Sequence, residues 1–348
     1  MGSTFATSAL PMLMLLLSTG CRHSTEPAPS REVITVQNAS RLQRVASLPV
    51  SGSNAGFLAF SADNRALIAK DRTGETLLWE TGTWSRRTLQ APFMTPQEAD
   101  AAQVPFYPTM ALSPDGRTMA TVTSATGDVA VREVSGSVRS TFTYGSPVYA
   151  VAISPDGRLV AVGGLNGNVV VREMETGRQV ADLICDRQYV SVLVFSPDGG
   201  TLVAGYERPG NLMKAWSTST WQETSTFSVM TERVDYHDAV FTPDGRHLVI
   251  ARVGIAEPNV IEMLDASTFQ VVRRISDRVS AFGLTFSPDG SLLTSSWVGV
   301  DLWNQATGGT VRAIGAANHT FNVAFSPDGT LLALSVDGEG VQVWGVPR

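Results

Sequence analysis

Ser113-Pro-Asp-Gly116 recurs at 154–157, 196–199, 287–290 and 326–329, with Thr242-Pro-Asp-Gly245 as a near copy and Ser61-Ala-Asp-Asn64 as a worn one. Successive copies start 52, 41, 42, 46, 45 and 39 residues apart. Recurrence at this period marks one supersecondary unit used again and again. Each copy reads as a tight turn. Pro presets φ, Asp bonds back to nearby backbone, and Gly accepts a positive φ. Gly157, Gly199, Gly290 and Gly329 are therefore expected at positive φ. Short apolar runs flank each turn, such as Val148-Tyr-Ala-Val-Ala-Ile153 before one and Leu159-Val-Ala-Val162 after it. They read as the two arms of a hairpin.

A third run follows in most units, for example Asp128-Val-Ala-Val-Arg-Glu133 or Gly340-Val-Gln-Val-Trp344. A fourth comes after a Thr-Gly or Ser-Thr turn, as in Gln179-Val-Ala-Asp-Leu183. Four strands per repeat of this length predict a propeller blade. Seven turns predict seven blades, hence an all-β, seven-bladed β-propeller of four-stranded blades. The last blade lacks an outer strand, because the chain stops soon after Trp344. Arg41-Leu-Gln-Arg-Val-Ala-Ser-Leu48 is patterned to supply it, which would close the ring and cover two edges.

At these residues the chain resembles the WD-repeat β-propellers, from about 31 to 348. The hairpin phrase and the strand-ending Trp79, Trp216, Trp303 and Trp344 carry the resemblance. The chain departs from the family in having no Trp-Asp pair: Glu80, Ser217, Asn304 and Gly345 follow those tryptophans. A Gly-His pair ahead of each first strand is also missing, so the family's hydrogen-bonded tetrad does not carry over. Asn259–Asp265 and Phe269–Ile275 are also similar to bacterial propellers with Tyr-Val-Thr-Asn repeats.

The chain has 348 residues, a formal net charge of −6 and 43% apolar residues. Acidic balance without basic patches argues against a nucleic-acid partner. Ala9-Leu-Pro-Met-Leu-Met-Leu-Leu-Leu17 is too short to span a bilayer and reads as the apolar core of a signal peptide. Ser18-Thr-Gly-Cys21 after it resembles the bacterial lipoprotein cleavage box. That resemblance implies cleavage before Cys21, a lipid on its sulfur and, with Arg22 next, an outer-membrane destination. An ordinary signal peptide and a cytoplasmic start stay open, since Ser18 stands where Leu is usual and no Lys or Arg precedes the apolar run. The division is then 1–20 as signal peptide, 21–32 as lipidated Cys21 and a disordered Pro-rich tether, and 33–348 as the propeller. Cys185 reads as a small buried apolar residue.

His23, His237, His247 and His319 show no metal-ligand spacing, and no nucleophile elbow or phosphate-binding glycine loop occurs. Asp235-Tyr-His-Asp238 reads as a polar loop ahead of a first strand. The recurring turn aspartates read as structural. No metal, cofactor or catalytic residue is expected. Three insertions break the rhythm: 91–108, 207–211 and 254–259. By family topology all three rise on one face, and insertions gathered on one face of a repeat protein often mark where it binds. The candidate binding residues are Phe93, Phe106, Tyr107, Arg208 and Glu257. The expected function is a non-catalytic protein-binding or scaffolding propeller. It is expected as a monomer in the bacterial cell envelope, in the periplasm or outside, held to the membrane by lipid on Cys21, with unknown protein partners. Two alternatives are an enzyme of lactonase, phytase or quinone-dependent dehydrogenase type, and a small-ligand or glycan binder. Convergent acidic or His residues on the innermost strands would favour the enzyme. Aromatic rings facing the channel would favour the glycan binder.

Overall fold

The computed structural model describes residues 30–50, 55–95, 97–98, 109–184, 189–207, 212–227, 234–254, 259–277 and 281–348. Two short strands open the chain, β1 (Arg31–Glu32) and β2 (Gln43–Leu48), separated by a single 3₁₀ turn at Ala39–Arg41. The first four-stranded sheet holds β3 (Ala55–Phe60), β4 (Ala66–Asp71), β5 (Thr76–Glu80) and β6 (Arg86–Gln90). The second holds β7 (Met110–Leu112), β8 (Thr118–Val122), β9 (Asp128–Glu133) and β10 (Val138–Thr143). The third holds β11 (Val148–Ile153), β12 (Leu159–Gly164), β13 (Val169–Glu173) and β14 (Gln179–Leu183). The fourth holds β15 (Tyr189–Phe195), β16 (Thr201–Glu207), β17 (Met213–Ser217) and β18 (Glu223–Phe227). The fifth holds β19 (Val234–Phe241), β20 (His247–Gly254), β21 (Val260–Asp265) and β22 (Val271–Ser276). The remaining strands are β23 (Gly283–Phe286), β24 (Leu292–Asn304), β25 (Thr310–Phe325), β26 (Leu331–Val336) and β27 (Gly340–Pro347).

The chain is an all-β propeller of four-stranded blades. The expectation of seven separate blades is corrected: five four-stranded sheets stand apart, and the other strands form one seven-stranded sheet in the order β1-β27-β26-β25-β24-β23, with β2 also on β27. The cause is the length of two strands, 13 residues in β24 and 16 in β25, which run unbroken from one partner to the next. Residues 293–296 of β24 pair with β23, while its Val298–Trp303 stretch pairs with β25. The Thr320–Phe325 stretch of β25 then pairs with β26.

The repeated phrase builds one turn seven times. Ser154 Oγ donates to Asp156 Oδ1 at 2.6 Å and accepts from Leu159 N at 2.9 Å, and Asp156 Oδ1 also accepts from Arg158 N at 3.0 Å. The same Ser/Thr-to-Asp bond forms at 61, 113, 196, 242, 287 and 326. The turn glycines have φ between 68° and 73°. In the worn copy Asn64 takes that place with φ 60°, as an Asn tolerates better than other side chains.

First strands of successive sheets pack side by side from β7 through β11, β15, β19 and β23 to β25, and β25 packs on β3. They form the inner wall of the ring. Apolar clusters fill the seams between neighbours, from Ile68 with Met119 between the first two sheets to Leu77 with Val343 where the last meets the first. Alternation along each strand sends side chains to the seams on either side, which is why the second strands are buried almost throughout. β2 pairs antiparallel with β27 over Gln43–Leu48 and supplies the outer strand that the C-terminal repeat lacks. Upstream of it, Ile34, Ala39 and Leu42 are buried with Leu302, Leu332 and Val346. The segment before β2 is therefore part of the core and more than a lead-in.

Candidate functional site

The ring has two unlike ends. The repeated turns join first to second strands at one of them. The turns from third to fourth strands lie at the same end, because the residue after each third strand bonds back to the first hairpin, as in Thr81 N to Arg65 O and Met174 N to Arg158 O. We call this the turn end. First strands start, and second strands finish, at the opposite, open end.

At the turn end the carboxylates are committed to the turns. Asp63, Asp115, Asp198 and Asp244 are held below the usual carboxylate range by the Ser or Thr hydroxyl two residues earlier. The bonds that fix them are local and repeat from sheet to sheet, in keeping with a structural reading of these aspartates.

The open end gathers aromatic side chains. Phe282, just ahead of β23, stacks on Trp297 of β24 with centroids 4.3 Å apart and planes 27° apart. His319 of β25 meets the Trp297 ring edge-on at 5.3 Å, and Phe321 lies 5.3 Å from Phe282. Phe282 and Trp297 are half-buried, His319 is exposed and Phe321 is buried, so the cluster is anchored below and open above. Across the wall, Tyr149 and Tyr189 meet edge to face at 5.6 Å at the starts of β11 and β15. These six residues stand at the beginning of innermost strands or where β24 and β25 pass from one partner strand to the next, which is why the fold brings them to the channel mouth.

Lys70 lies between the first and second sheets towards the same end. Its register equivalents are small or aliphatic residues, Gly163 and Gly205 among them, each opposite the matching residue of its first strand. Its Nζ donates to Thr121 Oγ1 at 2.9 Å and to the Val122 carbonyl, tying the two sheets together. Burial pushes its pKa down to about 7, only partly offset by Asp71. Phe93 covers it: the ring centroid is 5.8 Å from Nζ, and Phe93 N donates to Thr73 O at 3.0 Å. The ring lies against Gly74, where an added Cβ would come within 2.1 Å of it.

At the level of Lys70, but on the inner wall, Asp238 of β19 accepts from Ala239 N at 2.8 Å and from Leu284 N of β23 at 2.7 Å. Burial raises its pKa to about 7 against the pull of those two donors. Residues 235–238, expected from the sequence as a polar loop, are instead part of β19, with Asp235, Tyr236 and Asp238 paired to β20. In the same sheet Arg252 and Arg274 hold Glu262 from two sides at 3.0 and 2.9 Å, with Arg252 and Glu262 buried.

Of the expected binding residues, Phe93 alone falls in the described part, 36% exposed over Lys70. Phe106, Tyr107, Arg208 and Glu257 lie outside the described residues, as do Cys21 and Cys185. Sequence reading missed the Phe282–Trp297–His319–Phe321 cluster. The signal available was an aromatic at or next to the first residues of several first strands: Phe57, Tyr149, Tyr189, Phe282 and Phe321. Among the described residues no group of three or more His, Cys, Asp or Glu is placed to hold a metal ion.

A ring of repeated four-stranded blades with one uniform and one varied end defines a repeat propeller. Residues 136–172, from the outer strand of the second sheet through the third strand of the third, match the family described as WD domain, G-beta repeat. A WD repeat-containing protein from the cyanobacterium Synechocystis sp. is 31% identical over 157 residues, covering 41% of this chain and 40% of that relative. In these stretches the chain is similar to the WD-repeat propellers, and its match spans under half the length of that relative.

Proposed function

We propose that this chain is a non-catalytic binding propeller that takes a protein partner at its open end. The observation that carries the reading is the Phe282–Trp297 stack with His319 beside it, half-exposed at the channel mouth. Aromatic side chains are enriched at interfaces, because they present large contact area at small entropic cost. The insertion carrying Phe93 leaves the first sheet at the same end. We propose further that the long sheet counts as two blades, giving seven in all. Support comes from the bond Gln305 N to Ser291 O, which repeats in β24 the cross-link of the separate sheets, and from an apolar cluster in the seam it would share with its neighbour, built on Leu302 and Leu332. The tether reading rests on the sequence around Cys21. No helix among the described residues is long and apolar enough to cross a membrane.

The test is affinity capture from a membrane extract with the full chain, comparing wild type with F282A/W297A and with R158E as a turn-end control. Loss of a captured protein in the first variant and its retention in the second supports the reading. Equal capture by all three contradicts it. The same stack also suits a ring-shaped small ligand such as a sugar. That second reading would show as saturable binding of an oligosaccharide by wild type, with no protein captured.

A further inference from the structure

Building on the tether reading above, we infer that the ring is held with its turn end towards the membrane and its aromatic end away from it. The geometry of the first described residues fixes this. Arg31 and Glu32 pair with Pro347 and Val346, at the far end of a third-strand segment that starts at the open end with Gly340. Ile34 N donates to the carbonyl of Gly329, a residue of the last repeated turn, at 2.9 Å. Arg41 bonds both Glu32, at 3.0 Å, and the Pro347 carbonyl, at 2.8 Å. With Ile34, Ala39 and Leu42 buried in the last seam, the clasp cannot swing to the other end without opening the core. Whatever precedes Arg31 therefore leaves the ring at the turn end.

Chain length limits what an anchor can do. Residues 22–30 separate Cys21 from Arg31, and nine residues span at most about 30 Å when fully extended. The open end stands a further strand length away, about 20 Å for six residues. With its attachment at the turn end, the ring has that end held within about 30 Å of the bilayer, and the mouth carrying Phe282, Trp297 and His319 lies a strand length farther from the point of attachment. A partner at this mouth would be reached from solution.

The test uses the lipidated full chain in vesicles carrying an acceptor dye on the lipid headgroups. Two reporters sit at opposite ends of β12 in a Cys185→Ser background: Arg158→Cys at the turn end and Leu165→Cys at the open end. Both sites are exposed, Leu165 by 50% and the Arg158 side chain by 84%. Donor dye at 158 is expected to transfer more energy than donor dye at 165. Equal or reversed transfer overturns the orientation while leaving the tether standing. A Cys21→Ser companion is expected to leave the vesicles; if it stays bound, the tether falls and the inferred orientation with it.

Discussion

The two ends of the ring differ in how repetitive they are, and on the proposed reading that difference separates structure from recognition. At the turn end, seven copies of one hydrogen-bonded turn use the same Ser or Thr, the same Asp and a residue at positive φ. Their carboxylates sit low because neighbouring hydroxyls hold them charged. At the open end the side chains change from sheet to sheet. Lys70 fills a place that is Gly163 or Gly205 elsewhere, and Asp238 lies where Ala150 and Val192 stand. Trp297 stands within β24 at the place where Gly164 ends β12. Uniformity follows from the need of every blade for the same hairpin. Variety persists where each blade can present its own side chain without disturbing its neighbours.

The largest expected effect lies outside this contrast and sets its background. Deleting 31–48 removes Ile34, Ala39 and Leu42 from the last seam and the strand that pairs with β27, exposing an edge. The truncated chain is expected to aggregate or to lose its cooperative unfolding transition. An unchanged melting temperature would show that the clasp contributes nothing.

A pair of turn glycines sharpens the contrast within the turn end. Gly116 and Gly157 have nearly the same φ, 68° and 71°. A Cβ at Gly116 would lie 2.3 Å from Ala62 N, whereas one at Gly157 meets nothing within 4 Å. Gly157→Val should cost about 1–3 kcal/mol from backbone strain alone. Gly116→Val should cost more, because a neighbouring backbone must move as well. Denaturant midpoints that rank the two the other way would show that crowding between turns is not what distinguishes them.

The ends should also differ in pH response. Turn-end aspartates are held below their unfolded values, so their stabilisation is present above the normal Asp pKa of about 4 and fades as pH falls through the lowered ones. Lys70 works the other way. Its folded pKa is down at about 7 from 10.5, so between those values the unfolded chain binds more protons and stability rises with pH. Asp238, raised to about 7 from 3.8, makes stability fall as pH rises between those values. Lys70→Met is expected to flatten the rise between pH 7 and 10 while leaving the acid limb intact. An unchanged alkaline limb would mean that Lys70 is not desolvated as its surroundings imply.

Much of the fold was legible because its information is local. A four-residue turn states its own geometry, and strand alternation follows from it. The joining of the last sheets was not legible, because β24 and β25 pass from partner to partner with no turn residue cluster to announce a break. The clasp was half legible: 41–48 showed a strand pattern, but nothing in Val33–Ser40 advertises that Ile34 and Ala39 enter a core. The aromatic mouth was hidden for a different reason. Phe282, Trp297, His319 and Phe321 are spread over forty residues, and only the closure of the ring places them together. Phe93 reads from the sequence as a binding-face residue, and its ring lies on Gly74 above Lys70. Its first role is to close the seam between two sheets.

The central claim is that recognition belongs to the open end. The direct measurement is binding of the captured partner to F282A/W297A, beside R158E, with circular dichroism and melting curves run on each. Both side chains in the stack are half-exposed, so their loss should lower stability only modestly, by about 1–3 kcal/mol. The account predicts at least a tenfold weaker partner affinity for the open-end variant with a native spectrum, and unchanged affinity for the turn-end variant. Unchanged affinity for the open-end variant, or weakened binding only in the turn-end one, would contradict it.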